Sequence, residues 1–318
     1  MFSGSSPARV QRARALVIAC LSAAAAHGAP VHAQAAAARV ASAPITVRDD
    51  AGRAVTLARP AQRIVSLIPS ATETLVAIGA REALVGRTRY DTAAAVRGAA
   101  DVGGGLDPDL ERIRALRPDL VIVWASSSQK GVPAQLERLG IPTFGVRVED
   151  TAGVFRTHAN LGRLTGREVG AAAQATRLRG ELAAVAAAPV RGAPRVLYLL
   201  FGDPPLSVGR TSYVHELLQL VGARNVFADQ AVPFPQVSVE AIVARDPDVI
   251  VLPVGTDGAR IEARMTALRT TPGYRELRAV RTGRVVRIDA DLVNRPGPGL
   301  GAAVTAVRDS LRRVLGGR

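Results

Sequence analysis

Cysteine and histidine, the side chains that most often hold zinc and related metals, are rare in this 318-residue chain. It has one cysteine, Cys20, and four histidines, of which His158 and His215 lie 57 positions apart in segments with helical periodicity. Two histidines without thiolates cannot build a zinc or manganese cage unless several carboxylates join them. We therefore predict no metal site and interpret both histidines as surface or packing residues.

Motifs of common catalytic sites are also missing from the sequence. There is no GxSxG nucleophile elbow, no GxxxxGK[ST] phosphate loop and no GxGxxG after a strand-like segment. Gly103–Gly105 precede a predicted helix and could admit an anion at its N-terminus, although a plain turn is the simpler explanation. We predict that the protein is not an enzyme and has no cofactor. An exported α/β enzyme is the alternative from another class, because a site built only from carboxylates leaves no motif.

The first 33 residues have the features of a secretory signal peptide. A basic region with three arginines at positions 9–14 precedes an apolar stretch at 15–26, and residues 31–33 (VHA) form a small-x-small cleavage site. The apolar stretch is too short to span a bilayer, which takes roughly 20 residues. We predict cleavage after residue 33 and a periplasmic location. A lipid anchor at Cys20 is disfavoured, because five residues separate it from the last arginine.

The predicted mature chain has no cysteine and an excess of positive charge. Its formal charge falls from +14 to +11, because the removed segment contains three arginines and no acidic residue. The arginines are scattered along the chain, Lys130 is the single lysine, and aromatic residues make up 3% of the sequence. Nucleic-acid-binding proteins usually concentrate charge on one face or element. We therefore predict no nucleic-acid partner.

An internal duplication indicates how these residues are positioned. Residues 110–123 (LERIRALRPDLVIV) and 239–252 (VEAIVARDPDVIVL) align without gaps, with five identities and five exchanges among aliphatic residues. In both copies a capping residue, Asp109 or Ser238, precedes a short helix that ends before a proline. The aliphatic run that follows is typical of a strand buried on both faces of a parallel sheet.

A weaker repeat precedes each copy. The strand-like segments 63–67 and 195–199 each lead into a helix followed by Gly79 or Gly222, where a left-handed residue is expected. The order strand, helix, short helix, strand therefore occurs twice. We predict an α/β fold with two Rossmann-like lobes, each containing a parallel sheet.

The segment between the two lobes is predicted to be one long helix. Thr165 and Glu168 have the spacing of a capping box, strong helix formers continue to Ala188, and Pro189 ends the run. From Gly166 to Ala188 such a helix would be roughly 35 Å long, enough to join two lobes around a preformed cleft. Alternatively, it belongs to the outer layer of one lobe. The predicted boundaries are signal peptide 1–33, N-terminal segment 34–60, N-terminal lobe 61–164, connecting helix 165–189 and C-terminal lobe 190–318.

Seven segments of the chain form a recognisable set. In the first half these are RIVSLIPSATETLVAIGA, LVGRTRYD and LERIRALRPDLVIVW. In the second half they are FGDPPLSVG, GARNVFAD, VPFPQVSVEAIVARDPDVIVL and RPGP. Together they resemble the cobalamin-binding proteins of ABC importers over about residues 60–310, and VPFPQVSVE is the most specific of them. The resemblance implies two α/β lobes joined by one long helix, as in the wider group that includes haem and ferric-siderophore receptors. It also implies capture of cobalamin or a related corrinoid, as a transported ligand, and delivery to the permease dimer of an importer.

The resemblance further implies which residues contact the ligand. Tyr90 matches a tyrosine that lines the family's cleft, Trp124 matches another aromatic residue there, and Phe234 lies where cobalamin receptors tend to have tryptophan. The C-terminal ligand-contacting loop corresponds to Asp291, Leu292, Val293, Asn294 and Arg295. A flat macrocycle with amide arms requires aromatic and apolar walls with a few hydrogen-bonding groups. The alternatives are a core role for Trp124 and a buried loop anchor for Phe234.

Glu111 and Glu240 occupy identical positions in the repeat, in the first turn of the paired helices. An acidic residue there stabilises a helix by about 0.3–1 kcal/mol through its interaction with the macrodipole. The resemblance implies a second role, because the matching glutamates of the family contact arginines of the membrane permease. We therefore predict permease docking through both residues, so that the protein meets the membrane only through the permease.

Two departures from the family pattern leave the identity of the ligand open. Gly103–Gly105 replace the family's tryptophan before the first repeated helix, and Leu206 replaces a phenylalanine after the double proline. We still expect Leu206 to contact the ligand. Haem or a ferric siderophore is the alternative ligand. Tyr90 is a candidate iron ligand for haem, and Arg295 could bind an anionic siderophore.

Overall fold

A computed structural model describes residues 43–125 and 131–316. The predicted signal peptide, and with it Cys20, lies outside these residues. None of the helices in the two described ranges is both long and apolar enough to cross a membrane.

Two parallel sheets form the centres of two lobes, which confirms the α/β fold predicted from the duplication. The strands are β1 Ile45–Arg48, β2 Ala54–Leu57, β3 Ile64–Ser66, β4 Leu84–Arg87, β5 Ala100–Asp101, β6 Leu120–Trp124, β7 Thr143–Val146, β8 Arg195–Tyr198, β9 Arg224–Asn225, β10 Val249–Val254 and β11 Val285–Asp289. The N-terminal sheet has the order β5-β4-β3-β6-β7 and the C-terminal sheet the order β11-β10-β8-β9. All their pairings are parallel, and β3 pairs with β6 as β8 pairs with β10. The repeated segments therefore occupy equivalent places in the two sheets.

Helices cover both sheets. They are α1 Pro69–Ala77, α2 Leu110–Ala115, α3 Gly131–Arg138, α4 Thr151–Thr165, α5 Glu168–Ala186, α6 Tyr213–Leu220, α7 Val239–Arg245, α8 Gly258–Thr270, α9 Arg278–Arg281, α10 Ala290–Asn294 and α11 Leu300–Gly316. The predicted caps of α2 and α7 are confirmed, since Asp109 and Ser238 each accept a hydrogen bond from the backbone N–H three residues later. The predicted left-handed glycines are confirmed too, with φ of +83° at Gly79 and +80° at Gly222.

The antiparallel hairpin of β1 and β2 lies within the predicted N-terminal segment 34–60. Its inward side chains, Val47, Val55 and Leu57, are buried in the hydrophobic core that also contains β3 and β6 residues of the N-terminal lobe. The carboxylate of Asp49 accepts a hydrogen bond from the Gly145 backbone N–H on β7, at 3.1 Å. This segment is therefore packed as part of the N-terminal lobe.

The capping box predicted at the start of the connecting helix is wrong. Thr165 is the last residue of α4, and its hydroxyl donates to the Leu161 carbonyl oxygen at 2.6 Å. Gly166, with φ of +66°, ends α4, and the N-cap of α5 is Arg167, whose side chain makes no capping hydrogen bond. Helices commonly end at a glycine in the left-handed conformation, so α4 ends at Gly166 and α5 can begin only after it. The connecting helix α5 therefore has 19 residues, about 28 Å at 1.5 Å per residue.

Side chains of α5 belong to the hydrophobic cores of both lobes. Ala171, near its start, is buried in the N-terminal core, whereas Leu178, Leu182 and Val185 are buried in the C-terminal core. The N-terminal half of α5 also passes very close to the end of α1. A Cβ atom added at Gly170 would lie 2.1 Å from the Ile78 carbonyl oxygen, so this crossing requires glycine. The helix thus joins the two lobes through packed contacts.

Candidate ligand-binding site

A cavity of about 570 Å³ lies between the lobes, at the carboxyl ends of strands from both sheets. Its lining residues follow β3, β4, β5 and β6 of the N-terminal sheet and β11 of the C-terminal sheet. They are Leu67, Pro69, Ser70, Tyr90, Gly105, Leu106, Asp107, Trp124, Asp291, Asn294 and Arg295. Parallel α/β sheets commonly bind ligands at this edge, and small-molecule sites have volumes of about 300–1,000 Å³. The position and size of the cavity are therefore those of a ligand site.

Tyr90 and Trp124 form the aromatic part of the lining. Trp124 is the last residue of β6 and is half-buried, and Tyr90 lies after β4 with 54% of its surface exposed. The turn that carries Tyr90 is held by Asp91, whose Oδ2 accepts hydrogen bonds from the Thr88 backbone N–H at 2.9 Å and the Thr88 hydroxyl at 2.6 Å. The tyrosine backbone is therefore fixed while its ring remains open to a ligand.

Gly105 allows the loop before α2 to approach the end of β3. A Cβ atom at this position would lie 2.4 Å from the Leu67 carbonyl oxygen and 3.3 Å from Trp124 Nε1. Leu106, the next residue, has 68% of its surface exposed and lines the cavity. The loop therefore supplies an apolar surface beside the two aromatic rings.

Two buried tyrosines anchor α10, which carries the C-terminal part of the lining. The Tyr198 hydroxyl donates to Asn294 Oδ1 at 2.8 Å, and the Tyr213 hydroxyl donates to the Val293 carbonyl oxygen. Burial raises the pKa of both hydroxyls, which therefore remain protonated donors at neutral pH. Within the described residues, Nδ2 of Asn294 donates to no protein acceptor, so this group can donate to a bound molecule.

Arg295 connects the two lobes beside the cavity. Its Nη1 lies 3.2 Å from Glu73 Oε1 on α1, and its Nη2 donates to the Tyr90 carbonyl oxygen at 3.2 Å. The same Nη2 lies 3.0 Å from Asp291 Oδ2, and 21% of the arginine side chain is exposed. Three partners thus hold the guanidinium, and two of them belong to the opposite lobe.

Burial raises the pKa of Glu73, and the charge and hydrogen bond of Arg295 oppose this shift only in part. The carboxylates of Asp91 and Asp291 raise the pKa further. A smaller cavity of about 190 Å³, lined by Glu73, Asp91 and Arg295 among others, adjoins the main one at Arg295. The interlobe ion pair therefore lies between two hollows and is sensitive to the protonation of Glu73.

The structure brings five of the predicted ligand-contacting residues to this cavity: Tyr90, Trp124, Asp291, Asn294 and Arg295. Their contact with a ligand stays a prediction. The lining residues that were not predicted as ligand contacts are Leu67, Pro69, Ser70, Gly105, Leu106 and Asp107. Three of these directly follow the predicted strand 63–67 or overlap its end, so the rule that parallel sheets bind ligands at their carboxyl edge could have identified them.

The other four predicted contacts do not line the cavity. Val293 is buried in the C-terminal core and Leu292 packs against the same core, because Asp291 and Asn294, three positions apart, share the other face of α10. Val293 therefore packs α10 onto the C-terminal core and does not face the cavity. Leu206 is half-buried and forms isolated bridges to neighbouring loop residues, and Phe234 is 49% exposed on the C-terminal lobe. Contact of Leu206 or Phe234 with a ligand stays a prediction.

Glu111 and Glu240 are both exposed in the first turns of α2 and α7. Hydrogen bonds from its own backbone N–H and from the Ser238 hydroxyl lower the pKa of Glu240, which is therefore charged at neutral pH. The two carboxylates thus occupy equivalent exposed positions on the two lobes. Their docking role stays a prediction.

The two histidines of the described ranges lie apart from the cavity lining. His158 is buried in α4 with its Nδ1 2.7 Å from the Val154 carbonyl oxygen, and His215 on α6 lies 3.3 Å from the Asn225 amide. Burial lowers the pKa of both rings, which favours their neutral form. Among residues 43–125 and 131–316, no cluster of three or more His, Cys, Asp or Glu side chains could hold a metal ion.

Comparison with known proteins agrees with this architecture. A cobalamin-binding protein of Halobacterium salinarum is 33% identical over 270 residues, which cover 82% of this chain and 72% of that protein. The crystal structure of the periplasmic vitamin B12-binding protein of Vibrio cholerae matches with a TM-score of 0.64 and 28% identity, covering 80% of this chain and 98% of that one.

A periplasmic haem-binding protein, BhuT, in complex with two haems matches with a TM-score of 0.70 and 28% identity, over 80% of this chain and 98% of that one. The similarity thus extends to receptors of two macrocycle types. The model of the periplasmic binding protein family matches residues 64–292, which contain both sheets and most of the cavity lining. The chain therefore belongs to the periplasmic binding protein family.

Proposed function

We propose that this protein is an extracytoplasmic receptor that captures a corrinoid, most simply cobalamin, between its lobes and delivers it to an ABC importer. The observation that carries the proposal is the interlobe cavity, in which Tyr90, Trp124 and Leu106 offer apolar surface and Asn294 offers a hydrogen-bond donor. A corrinoid presents a flat, largely apolar ring with amide arms, which matches such walls. The identity with cobalamin-binding relatives supports the same ligand class. In this function the corrinoid is cargo, and no step of catalysis is required.

Haem is the second candidate, because of one observation. The Tyr90 phenol is exposed in the cavity, and tyrosine oxygen is an established axial ligand of ferric haem. The similarity to a haem-binding structure supports this candidate as well. For haem, Tyr90→Phe would abolish the charge-transfer absorption of a tyrosinate complex, whereas for a corrinoid it would remove only part of one apolar wall.

Titration calorimetry of the protein with cyanocobalamin, haemin and a ferric hydroxamate siderophore tests the proposal. We expect saturable one-to-one binding of cyanocobalamin. Saturable binding of haemin, with no binding of cyanocobalamin, would identify haem and not a corrinoid as the ligand. Absence of binding in all three titrations would contradict the receptor function. Catalytic turnover of any of the three compounds would instead favour the exported enzyme.

Delivery requires a docking surface, and we assign it to Glu111 and Glu240. Both carboxylates are exposed at equivalent positions of the repeat, so a permease dimer could contact them through two matching sites. The residues before position 34 would export the protein to the periplasm, where ligand capture precedes import. This assignment agrees with the family match, whose description is a periplasmic binding protein.

Uptake of radiolabelled cobalamin by cells, or by vesicles containing the importer, tests the docking surface. The double variant Glu111→Gln and Glu240→Gln should lose most uptake, because both ion pairs to the permease are removed, while its affinity for cobalamin is unchanged. Glu168→Gln is the matched control, since Glu168 is also exposed in the first turn of a helix but lies outside the repeat. Equal uptake by the double variant and the control would contradict the docking role.

A further inference from the structure

A third cavity lies in the C-terminal lobe, on the side of the ligand cavity where Asn294 lies. It has a volume of about 290 Å³ and is formed where β10 ends and α8 begins, with Pro253, Thr256 and Ile261 among its lining residues. Asn294 lines both cavities, so the two hollows meet at the last residue of α10. We call this cavity the C-lobe side pocket. The side chain of Asn294 is therefore the boundary that the two cavities share.

Two arginines distinguish the C-lobe side pocket from the main cavity. Arg260 and Arg264 both line it and are four positions apart on α8, so they share one face of the helix. Arg264 Nη1 donates to the Pro253 carbonyl oxygen at 3.1 Å, and its guanidinium lies 5.6 Å from the centre of the Phe201 ring. Neither guanidinium forms an ion pair with a carboxylate anywhere in residues 43–125 or 131–316. Both cations therefore retain donors for a bound anion.

The charge balance of the two cavities differs in sign. The side pocket is lined by these two arginines and by Asp257, whose Oδ1 accepts the Arg260 backbone N–H as the cap of α8. The main cavity is lined by two aspartates, Asp107 and Asp291, and by Arg295, which is already paired with Glu73 and Asp291. An anionic group of a ligand would thus be better accommodated in the side pocket than in the main cavity.

We propose that the C-lobe side pocket binds an anionic arm of the ligand, a phosphodiester or a carboxylate, through Arg260 and Arg264. This inference rests on the proposed function, because it requires a macrocycle in the main cavity. Guanidinium groups bind phosphate and carboxylate oxygens with two donors each, and such charged hydrogen bonds are stronger than neutral ones. A nucleotide-bearing corrinoid carries one phosphodiester on its tail, and haem carries two propionate carboxylates. Asn294, held by Tyr198, contacts the ligand between ring and arm.

Pairs of ligands that differ in the anionic arm test this inference. Cyanocobalamin is compared with dicyanocobinamide, which lacks the phosphodiester, and haemin is compared with its dimethyl ester. We expect Arg260→Gln with Arg264→Gln to weaken binding of the anionic member of a pair by about 10- to 100-fold, the range expected for two charge-assisted contacts. Binding of the member without the arm should change less than about threefold. The pair that shows this difference identifies whether the arm is a phosphodiester or a carboxylate.

Two further variants keep this test independent of folding. Arg260→Glu alone alters an exposed side chain, and repulsion should weaken anionic ligands at least as much as the double variant. Arg269→Gln, in the last turn of the same helix, is the matched control and should leave the binding of all four ligands unchanged. Equal weakening of both members of a pair, or no weakening by Arg260→Glu, would contradict the side pocket but leave the receptor function intact. Failure of the unaltered protein to bind any of the four ligands would contradict the receptor function itself.

Discussion

The Tyr198 hydroxyl donates a 2.8 Å hydrogen bond to Asn294 Oδ1, so a buried core residue fixes the amide that lines the main cavity and the C-lobe side pocket. Its neighbour Tyr213 makes an equivalent bond to the Val293 carbonyl oxygen, which does not face the cavity. The two bonds hold one short helix in place, but only the first orients a group available to a ligand. Loss of either bond should therefore affect the stability of the lobe, whereas only loss of the bond to Asn294 should affect ligand binding.

Tyr198→Phe should therefore weaken ligand binding as well as folding. We expect a loss of about 1 kcal/mol in the free energy of unfolding, the usual cost of one buried hydrogen bond, and a fall in ligand affinity of about three- to tenfold. Tyr213→Phe is the matched control, with a similar loss of stability and unchanged affinity. Urea unfolding and calorimetric titration measure the two effects. Equal affinities of the two variants would show that the Asn294 amide needs no positioning.

The ion pair of Glu73 and Arg295 predicts how the pKa of Glu73 responds when the arginine is removed. Burial raises the pKa of Glu73 above its ordinary value of 4.5, and Arg295 opposes the shift. Arg295→Gln should therefore raise the pKa of Glu73 further, as followed by carbon NMR of the carboxyl group. A fall in the pKa on removal of the arginine would contradict the ion pair.

The same carboxyl group should make stability depend on pH. Because folded Glu73 holds its proton more tightly than the unfolded chain, its contribution to stability is full below pH 4.5 and is lost as the pH rises through the raised value. The free energy of unfolding of the unaltered protein, minus that of Glu73→Gln, should thus decrease as the pH rises above about 4.5. Urea titrations at several pH values provide the measurement, and a constant difference would contradict the assignment.

Two glycines of α5 should respond in opposite directions to alanine. Gly170→Ala places a Cβ 2.1 Å from the Ile78 carbonyl oxygen, and the displaced helix should cost about 1–3 kcal/mol of unfolding free energy. Gly180→Ala meets nothing within 4 Å and should stabilise the protein by about 0.5–1 kcal/mol, because alanine favours the helix. Thermal or urea unfolding compares the pair. Stabilisation by both substitutions would show that α5 and α1 are not in close contact.

Gly105 offers a similar comparison within the site. Gly105→Ala would bring a Cβ 2.4 Å from the Leu67 carbonyl oxygen, so the loop that carries Leu106 must move away from the end of β3. We expect ligand affinity to fall by about tenfold or more, as apolar contact is lost. Gly98→Ala, which meets nothing within 4 Å, should leave affinity unchanged. Unchanged affinity of Gly105→Ala would exclude this loop from the ligand site.

The sequence contained enough information to predict the two lobes because the duplication repeats local signals. Asp109 and Ser238 cap equivalent helices, and Gly79 and Gly222 adopt the left-handed conformation in both halves. Where two local signals compete, the prediction failed. At the boundary of α4 and α5 a capping pattern overlaps Gly166, and the glycine determines where the helix ends.

Site residues were predictable where a strand end or a resemblance identified them, as for Tyr90 and Trp124. The position of Leu106 in the cavity lining could not be predicted, because its exposure depends on a loop path that Gly105 makes possible. The side chains of α10 show the same limit. Five consecutive residues were predicted to contact the ligand, but helical geometry turns Val293 into the core. The ion pair of Arg295 with Glu73 of the other lobe could not be predicted from local sequence either, because the two residues are far apart in the chain.

The placement of α5 side chains in both hydrophobic interiors has a consequence for how the molecule unfolds. Neither lobe is complete alone: the first would lack Ala171, and the second would lack Leu178, Leu182 and Val185, which α5 supplies. A protein fragment that ends before α5, or one that begins after it, would thus expose the apolar core surface that α5 covers in the whole chain. The two lobes should therefore unfold together in a single cooperative transition. A ligand bound between them should raise the unfolding temperature of both.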